Sequence, residues 1–426
     1  MTTKKVTILE NGEGLYNTHV HLEDVNEVIA EQLDTKAALG PNTKFTVIGD
    51  GNGFMSRVIL VEADWTAPDE HLPSKFILKI VSCLHVHALV EKMKAGSPDA
   101  FPEEQEANLW ALFENEAQCL HNREVNCYKI LEKWNKNDVM LIPKIYFSKK
   151  FDSENRLKGF LGMEVVENAI TRHMYSNAKP HELHPVLKSL ANLQAGSLHL
   201  NDEEKESISG YDFKSLMGSM MNEDGMKGIF EQCKNINRDR LTEKADKVQE
   251  FGQQLVNFEL ACNLNKYVGI ERDVLVHGDL WAANILWNEK EGVFSVSKVI
   301  DYQLIHMGNP AEDLVRLFLS TLSGSDRKAY WEKLVEQFYE YFVDALDDQN
   351  DVPYTLEQLK ESYRHYFVTG GLVMLPMYGP IAETKLSYSN SENVEEYREV
   401  LSEKAEHLLE DLVKFHLYSK DLTATH

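Results

Sequence analysis

The sequence predicts an α+β fold in two lobes: an N-terminal lobe with an antiparallel sheet plus a helix, and a larger, mostly helical C-terminal lobe. Two changes of apolar period carry this reading. Short runs rich in Val, Ile and Phe dominate the first part of the chain, and apolar residues at helical spacing dominate the rest. One polar loop between two short apolar runs interrupts the helical half, and loops of that kind commonly hold function. We draw the boundary after Val166, giving residues 1–166 and 167–426. A chain of 426 residues fits two such units at about 100–200 residues each.

Along the N-terminal part, Val25, Ile29 and Leu33 recur at i, i+4 and i+8 and predict a helix over 25–39. Strands are expected at Lys44–Ile48, Met55–Ala63 and Lys75–Val81, separated by Gly, Asp, Asn and Pro. From Pro102 to Trp134 the pattern turns helical, and strand character returns at 141–147 and 159–166. Further helices are expected at 184–199, 244–264, 327–346 and 395–418. The apolar stretch 366–382 is broken by Gly370, Gly371, Pro376, Gly379 and Pro380. It is shorter than the ~20 apolar residues of a spanning helix, so it reads as a buried helix and turn or as a pocket wall.

Composition limits the partners. The 44 Lys and Arg against 68 Asp and Glu leave a formal charge of -24, which disfavours nucleic acid and anionic membranes as partners. A local basic site for a small anion stays compatible with that balance, because fields act over about 10 Å at ordinary ionic strength. Five scattered cysteines with no C-x-x-C pair suggest neither a disulfide framework nor a zinc ribbon. With a polar N-terminus that lacks the apolar core of a secretory signal, the chain is expected in the cytoplasm.

The chemistry gathers in His277-Gly278-Asp279-Leu280-Trp281 through Asn284, followed by Ile300-Asp301-Tyr302-Gln303. Asp279 and Asn284 are five apart, the spacing of the catalytic Asp and magnesium-binding Asn in H-R-D-x-x-x-x-N loops, and a second Asp follows a strand. Phosphoryl transfer needs hard oxygen ligands for magnesium and a carboxylate that takes the hydroxyl proton. Asn284 and Asp301 are the candidate ligands, and Asp279 the candidate base. Upstream, Gly49, Gly51, Asn52, Gly53 and Ser56 lie in a loop between two expected strands, where glycines let backbone N–H groups approach the phosphates of ATP. Lys79 sits inside an apolar strand and must meet a carboxylate or a phosphate. Glu124 is the first choice of partner and Glu116 the second. His85 and His87 near Cys83 share one face of a strand but have no evident fourth ligand, so zinc is not expected.

Together with Gly308-Asn309-Pro310-Ala311-Glu312-Asp313-Leu314, these residues resemble the aminoglycoside-phosphotransferase and choline-kinase superfamily, most closely its ecdysteroid-kinase-like (CHK-kinase-like) branch. The resemblance covers most of the chain. It implies a two-lobed kinase fold that transfers the γ-phosphate of ATP, with Mg2+, to the hydroxyl of a small alcohol. In that frame Asp279 is the base, Asn284 and Asp301 bind magnesium, and Lys79 with Glu124 positions the phosphates. The resemblance further implies that adenine bonds the backbone near Glu164 and Val166, and that Asp313 is a scaffold residue. No Ala-Pro-Glu follows Asp301, and a helical pattern resumes at Asp313-Leu314 about a dozen residues on, which leaves no room for the long activation segment of a protein kinase. The apolar segments 372–378 and 338–342 suggest a lipophilic acceptor such as a sterol alcohol, and the acidic surplus keeps a choline-like cation open. An inactive nucleotide-binding or scaffold pseudokinase is the alternative reading.

Overall fold

The computed structural model describes residues 6–48, 55–84, 87, 103–210, 214, 217, 218, 221–379 and 393–424. Two compact units emerge: Met1–Asn137 with Pro143–Glu167, and Asp138–Ile142 with Asn168–His426.

The first unit is built on five antiparallel strands: β1 (Lys44–Val47), β2 (Ser56–Glu62), β3 (Lys75–Val81), β4 (Ile145–Lys149) and β5 (Phe160–Met163). Their spatial order is β1-β2-β3-β5-β4. Alternation along β3 sends Phe76, Leu78 and Ile80 into one core with Val25, Val28, Ile29, Ile59, Val61, Phe147 and Phe160. Residue Lys79 therefore points to the opposite face, where the long helix Glu103–Trp134 runs. That helix buries Ala117, His121, Glu124, Tyr128 and Leu131, a stripe spaced by four and three residues.

The first helix spans Leu22–Gln32 and stops short of the expected Leu39, because Asp34 adopts φ 48 and Leu39 bridges to Trp65. Its start is fixed by Asp24, whose carboxylate accepts the His21 N–H at 2.8 Å. Strand β4 begins later than expected. Leu141 has φ 52, and Leu141 and Ile142, themselves part of the second unit, accept hydrogen bonds at their carbonyls from the Val299 N–H and Lys298 Nζ of that same unit.

The second unit holds β6 (Ile170–Thr171), β7 (Val274–Val276), β8 (Ile285–Lys290), β9 (Val293–Val299) and β10 (His306–Gly308). The two apolar runs read from the sequence do not pair with each other: β7 pairs with β10, and β9 with β8. Around them pack the helices His184–Ser197, Glu312–Thr321, Gly324–Ala345, Leu356–Tyr378 and Val394–Ala424. A single helix over 244–264 does not form. Arg238–Gln249 ends before Gly252 at φ +52, and Phe258–Cys262 starts again behind an Asn257 cap.

Segments expected to suggest a lipophilic pocket belong instead to this core. Phe338, Phe342, Leu372, Met374, Leu375 and Tyr378 are all buried, and the Tyr378 hydroxyl donates to the Leu319 carbonyl at 2.8 Å. Among the described residues no helix is long and apolar enough to cross a membrane.

Candidate active site

In the first unit Lys79 meets Glu124 and not Glu116. The ammonium donates to both carboxylate oxygens, at 3.0 and 2.8 Å, with Lys79 9% and Glu124 1% exposed. Burial of two opposite charges is tolerable only with such double contact, since each ion loses its hydration. His121, one turn before Glu124, is kept neutral: burial lowers its pKa to about 4, and its Nε2 bonds the Lys149 carbonyl at 2.9 Å. Strand pairing sets the lysine between Val58 of β2 and Leu161 of β5.

Ser56 opens β2 opposite Val81. Gly49, Gly51, Asn52 and Gly53 lie outside the described residues, so the proposed phosphate loop is known here only by its flanks. Glu164 and Val166 follow β5, and the Glu164 N–H donates to the Lys144 carbonyl at 2.9 Å. His85 also lies outside the described residues, while His87 packs against Trp110 at 5.0 Å.

In the second unit the fully buried β7 delivers His277, which is 1% exposed. His277 Nδ1 accepts the Asp279 N–H at 3.2 Å, and Nε2 lies 3.1 Å from the Ile300 carbonyl. This pair of partners assigns the proton to Nε2 and demands a neutral ring. Burial supplies that neutrality by lowering the His277 pKa to about 4, against the opposing charge of Asp301.

Gly278 stands at φ +80, and a Cβ there would fall against the Leu304 carbonyl oxygen, closer than side chains come. Glycine is thus required by the turn itself. Asp313 clamps the turn from the far side. Its two oxygens accept the N–H groups of His277 at 2.7 Å and Gly278 at 3.0 Å. Burial pushes this carboxyl above the usual carboxylate range, while the two N–H donors pull the other way.

The loop then presents Asp279. Asn284 Nδ2 donates to the Asp279 carbonyl at 2.9 Å and to its Oδ2 at 3.0 Å, while Arg316 Nη1 donates to Oδ1 at 2.9 Å. With its nitrogen so engaged, Asn284 keeps Oδ1 out of any hydrogen bond among the described residues. The Asn284 carbonyl accepts the Ile300 N–H at 3.0 Å, which brings the end of β9, and so Asp301, alongside Asn284. Asp301 itself adopts φ 71, ψ 62, a left-handed conformation rare outside glycine and tolerated by Asp.

A carboxylate and a free amide oxygen on adjoining segments are hard donors. They suit Mg2+, which takes one or two protein ligands and leaves the rest to phosphates and water. Among the described residues no group of three or more His, Cys, Asp or Glu could hold a metal by itself. Two oxygen donors alone would leave most of a metal's coordination to phosphate oxygens and water.

Arg316 and Ser320 escaped the sequence reading. With Asp313 they are polar residues spaced by three and four on a helix whose intervening positions 314, 315 and 317–319 are all apolar, and that spacing was the available signal. Ser320 Oγ accepts the Ala282 N–H at 3.0 Å, so one face of the helix Glu312–Thr321 holds residues 277, 278, 279 and 282. The aromatic neighbours divide: Trp287 and Tyr302 are core, and Trp281 is half-buried against His173.

Comparison with known proteins gives four findings. The family model described as "DUF1679: Uncharacterized oxidoreductase dhs-27" matches residues 8–420. A Caenorhabditis elegans protein named "Uncharacterized oxidoreductase dhs-27" is 23% identical over 339 residues, 78% of this chain and 39% of that protein. A second protein of that nematode, "Uncharacterized kinase-like protein D1044.1", is 33% identical over 94 residues, 22% of this chain and 24% of that protein. The chain thus spans well under half of either relative. Among solved structures, the microcompartment-associated aminopropanol kinase aligns at 14% identity over 91% of this chain and 98% of that chain, with a TM-score of 0.44.

Proposed function

The chain belongs to the DUF1679 family, and from that premise we propose that it is a kinase acting on a small molecule, transferring the γ-phosphate of ATP to an alcohol. One observation carries the reading: Asp279, Asn284 and the Ile300–Asp301 strand end are joined by direct hydrogen bonds into a single loop. In this reading Asp279 orients the acceptor hydroxyl and takes its proton. Asn284 Oδ1 and the Asp301 carboxylate would hold Mg2+. When bound, that ion would neutralise charge on the phosphate oxygens. Lys79, fixed by Glu124, would bind phosphate. Backbone groups at Glu164 and Val166 would receive adenine, and Gly49, Gly51, Asn52, Gly53 and Ser56 would cover the phosphates.

The kinase-like relative supports this assignment. The name oxidoreductase is borne by the family description and by the relative dhs-27, of which this chain matches 39%. A dinucleotide fold uses parallel strands with a glycine turn leading into a helix, whereas every strand pair described here is antiparallel.

A second reading, an inactive nucleotide-binding scaffold, draws on the fact that Arg316 and Asn284 already occupy both Asp279 oxygens. Calorimetry of ATP binding with and without magnesium, on wild type and Asp301→Ala, tests the first step. Magnesium-dependent binding that disappears in the variant supports a working donor site. No binding by folded wild-type protein would sink the kinase reading.

A further inference from the structure

The sequence leaves two classes of acceptor open, an uncharged alcohol and a choline-like cation, and the surroundings of Asp279 bear on the choice. We propose that Arg316 makes the acceptor site select uncharged alcohols over alcohols that carry a cationic nitrogen beside the reacting hydroxyl. The proposal rests on the kinase reading above, with Asp279 as base.

A hydroxyl that gives its proton to Asp279 must come within about 2.6–3.2 Å of a carboxylate oxygen. Oδ1 holds the Arg316 guanidinium at 2.9 Å and Oδ2 the Asn284 amide at 3.0 Å, so the acceptor oxygen stands beside a fixed positive charge. Both members of the Asp279–Arg316 pair have side chains 18% exposed, so water screens them only in part.

Before reaction the pair is neutral overall, and Arg316 cancels the attraction that a lone carboxylate would exert on a cation. During transfer the acceptor oxygen bonds the γ-phosphorus and the bond from that phosphorus to the ADP oxygen breaks. The hydroxyl proton passes to Asp279, whose negative charge fades while the positive charge of Arg316 does not. A cationic nitrogen two carbons from the reacting oxygen then faces an uncompensated guanidinium. The growing negative charge of an uncharged acceptor's oxygen meets the same guanidinium favourably.

A second basic group lies under the same loop. Buried Lys404 donates to the Ser320 carbonyl at 2.8 Å, and Ser320 Oγ in turn holds the Ala282 N–H. Lys404 makes no ion pair among the described residues, and burial lowers its pKa to about 7.

The test pairs choline with its uncharged carbon isostere, neohexyl alcohol, and ethanolamine with propanol. Transfer from Mg–ATP is followed by mass spectrometry of the phosphorylated alcohol. Wild type is expected to favour the uncharged member of each pair by about tenfold or more in kcat/KM. Arg316→Gln is expected to move the ratio at least about tenfold toward the cation, and Arg316→Lys to keep the wild-type ratio.

Preference of wild type for choline over neohexyl alcohol would overturn the proposal. So would an unmoved ratio in an active Arg316→Gln protein, or transfer to no uncharged alcohol by wild type that binds Mg–ATP. Failure of wild type to bind Mg–ATP is a different result, and it removes the kinase reading on which the proposal stands.

Discussion

The sheet unit and the helical unit hold their charged residues by opposite means. Lys79 and Glu124 neutralise each other in near-complete burial, each the other's main support. Asp279 is tied to Arg316 and Asn284 yet stays 18% exposed, and the residues before it are held by a neighbouring helix. The difference teaches which perturbations each region tolerates. A buried pair is fragile to the loss of one member, and a partly exposed carboxylate on a braced loop can be changed at a smaller structural cost but at the expense of its chemistry.

The largest effect should come from the less buried side of this contrast. Asp279→Asn keeps the shape of the side chain and removes the base. Phosphoryl transfer should fall by about 10²–10⁴-fold with thermal unfolding little changed, as read by steady-state kinetics and calorimetry. Transfer at the wild-type rate would remove Asp279 from the role of base.

Glu124→Leu attacks the buried pair and strands an ammonium. We expect a loss of about 3–5 kcal/mol in urea unfolding. The double variant Lys79→Met with Glu124→Leu should recover most of that loss, because the stranded charge is gone. A double variant no better than the single one would mean that packing, and not charge, dominates the site.

Gly278→Ala probes the brace. A side chain at φ +80 directed at the Leu304 carbonyl should cost about 2–4 kcal/mol, measured by denaturant unfolding.

The smallest effect concerns His277 and acid. Its pKa in the folded chain, about 4, lies below the ordinary 6.5, so the unfolded chain binds the proton first. This contribution is fully present above about pH 6.5 and is lost as pH falls toward 4, amounting to about 1–3 kcal/mol. His277→Asn should flatten the stability profile over that window. An unchanged profile would show that other groups govern it.

Much of this was legible before any coordinates. The apolar run around Lys79 marked its strand, and the cost of burying an ammonium called for a carboxylate or a phosphate; Glu124, the first choice, lies on the buried stripe of its helix. The five-residue spacing placed Asp279 and Asn284 on one loop, and the structure joins them directly.

Pairings set by tertiary contact were not legible. The short β10 carries no apolar signature of its own and exists because β7 offers it an edge. Likewise Phe338 and Leu372 have the composition of a pocket wall and the environment of a core, a distinction that depends on what lies opposite. Arg316 was missed for the same reason, since a helix pattern alone does not say which polar residue faces a loop.

The helix Glu312–Thr321 works as an index for the loop it touches. Asp313, Arg316 and Ser320 engage residues 277 to 282 as one row, so they are in register together or not at all. One residue inserted between Asp313 and Arg316 would turn the later part of that row by about 100°. The turn at Gly278 would stay pinned while Arg316 swung away from Asp279. Sequence length within this helix is therefore as constrained as the identity of the residues on its inner face, and the loop's alignment is inherited from a count.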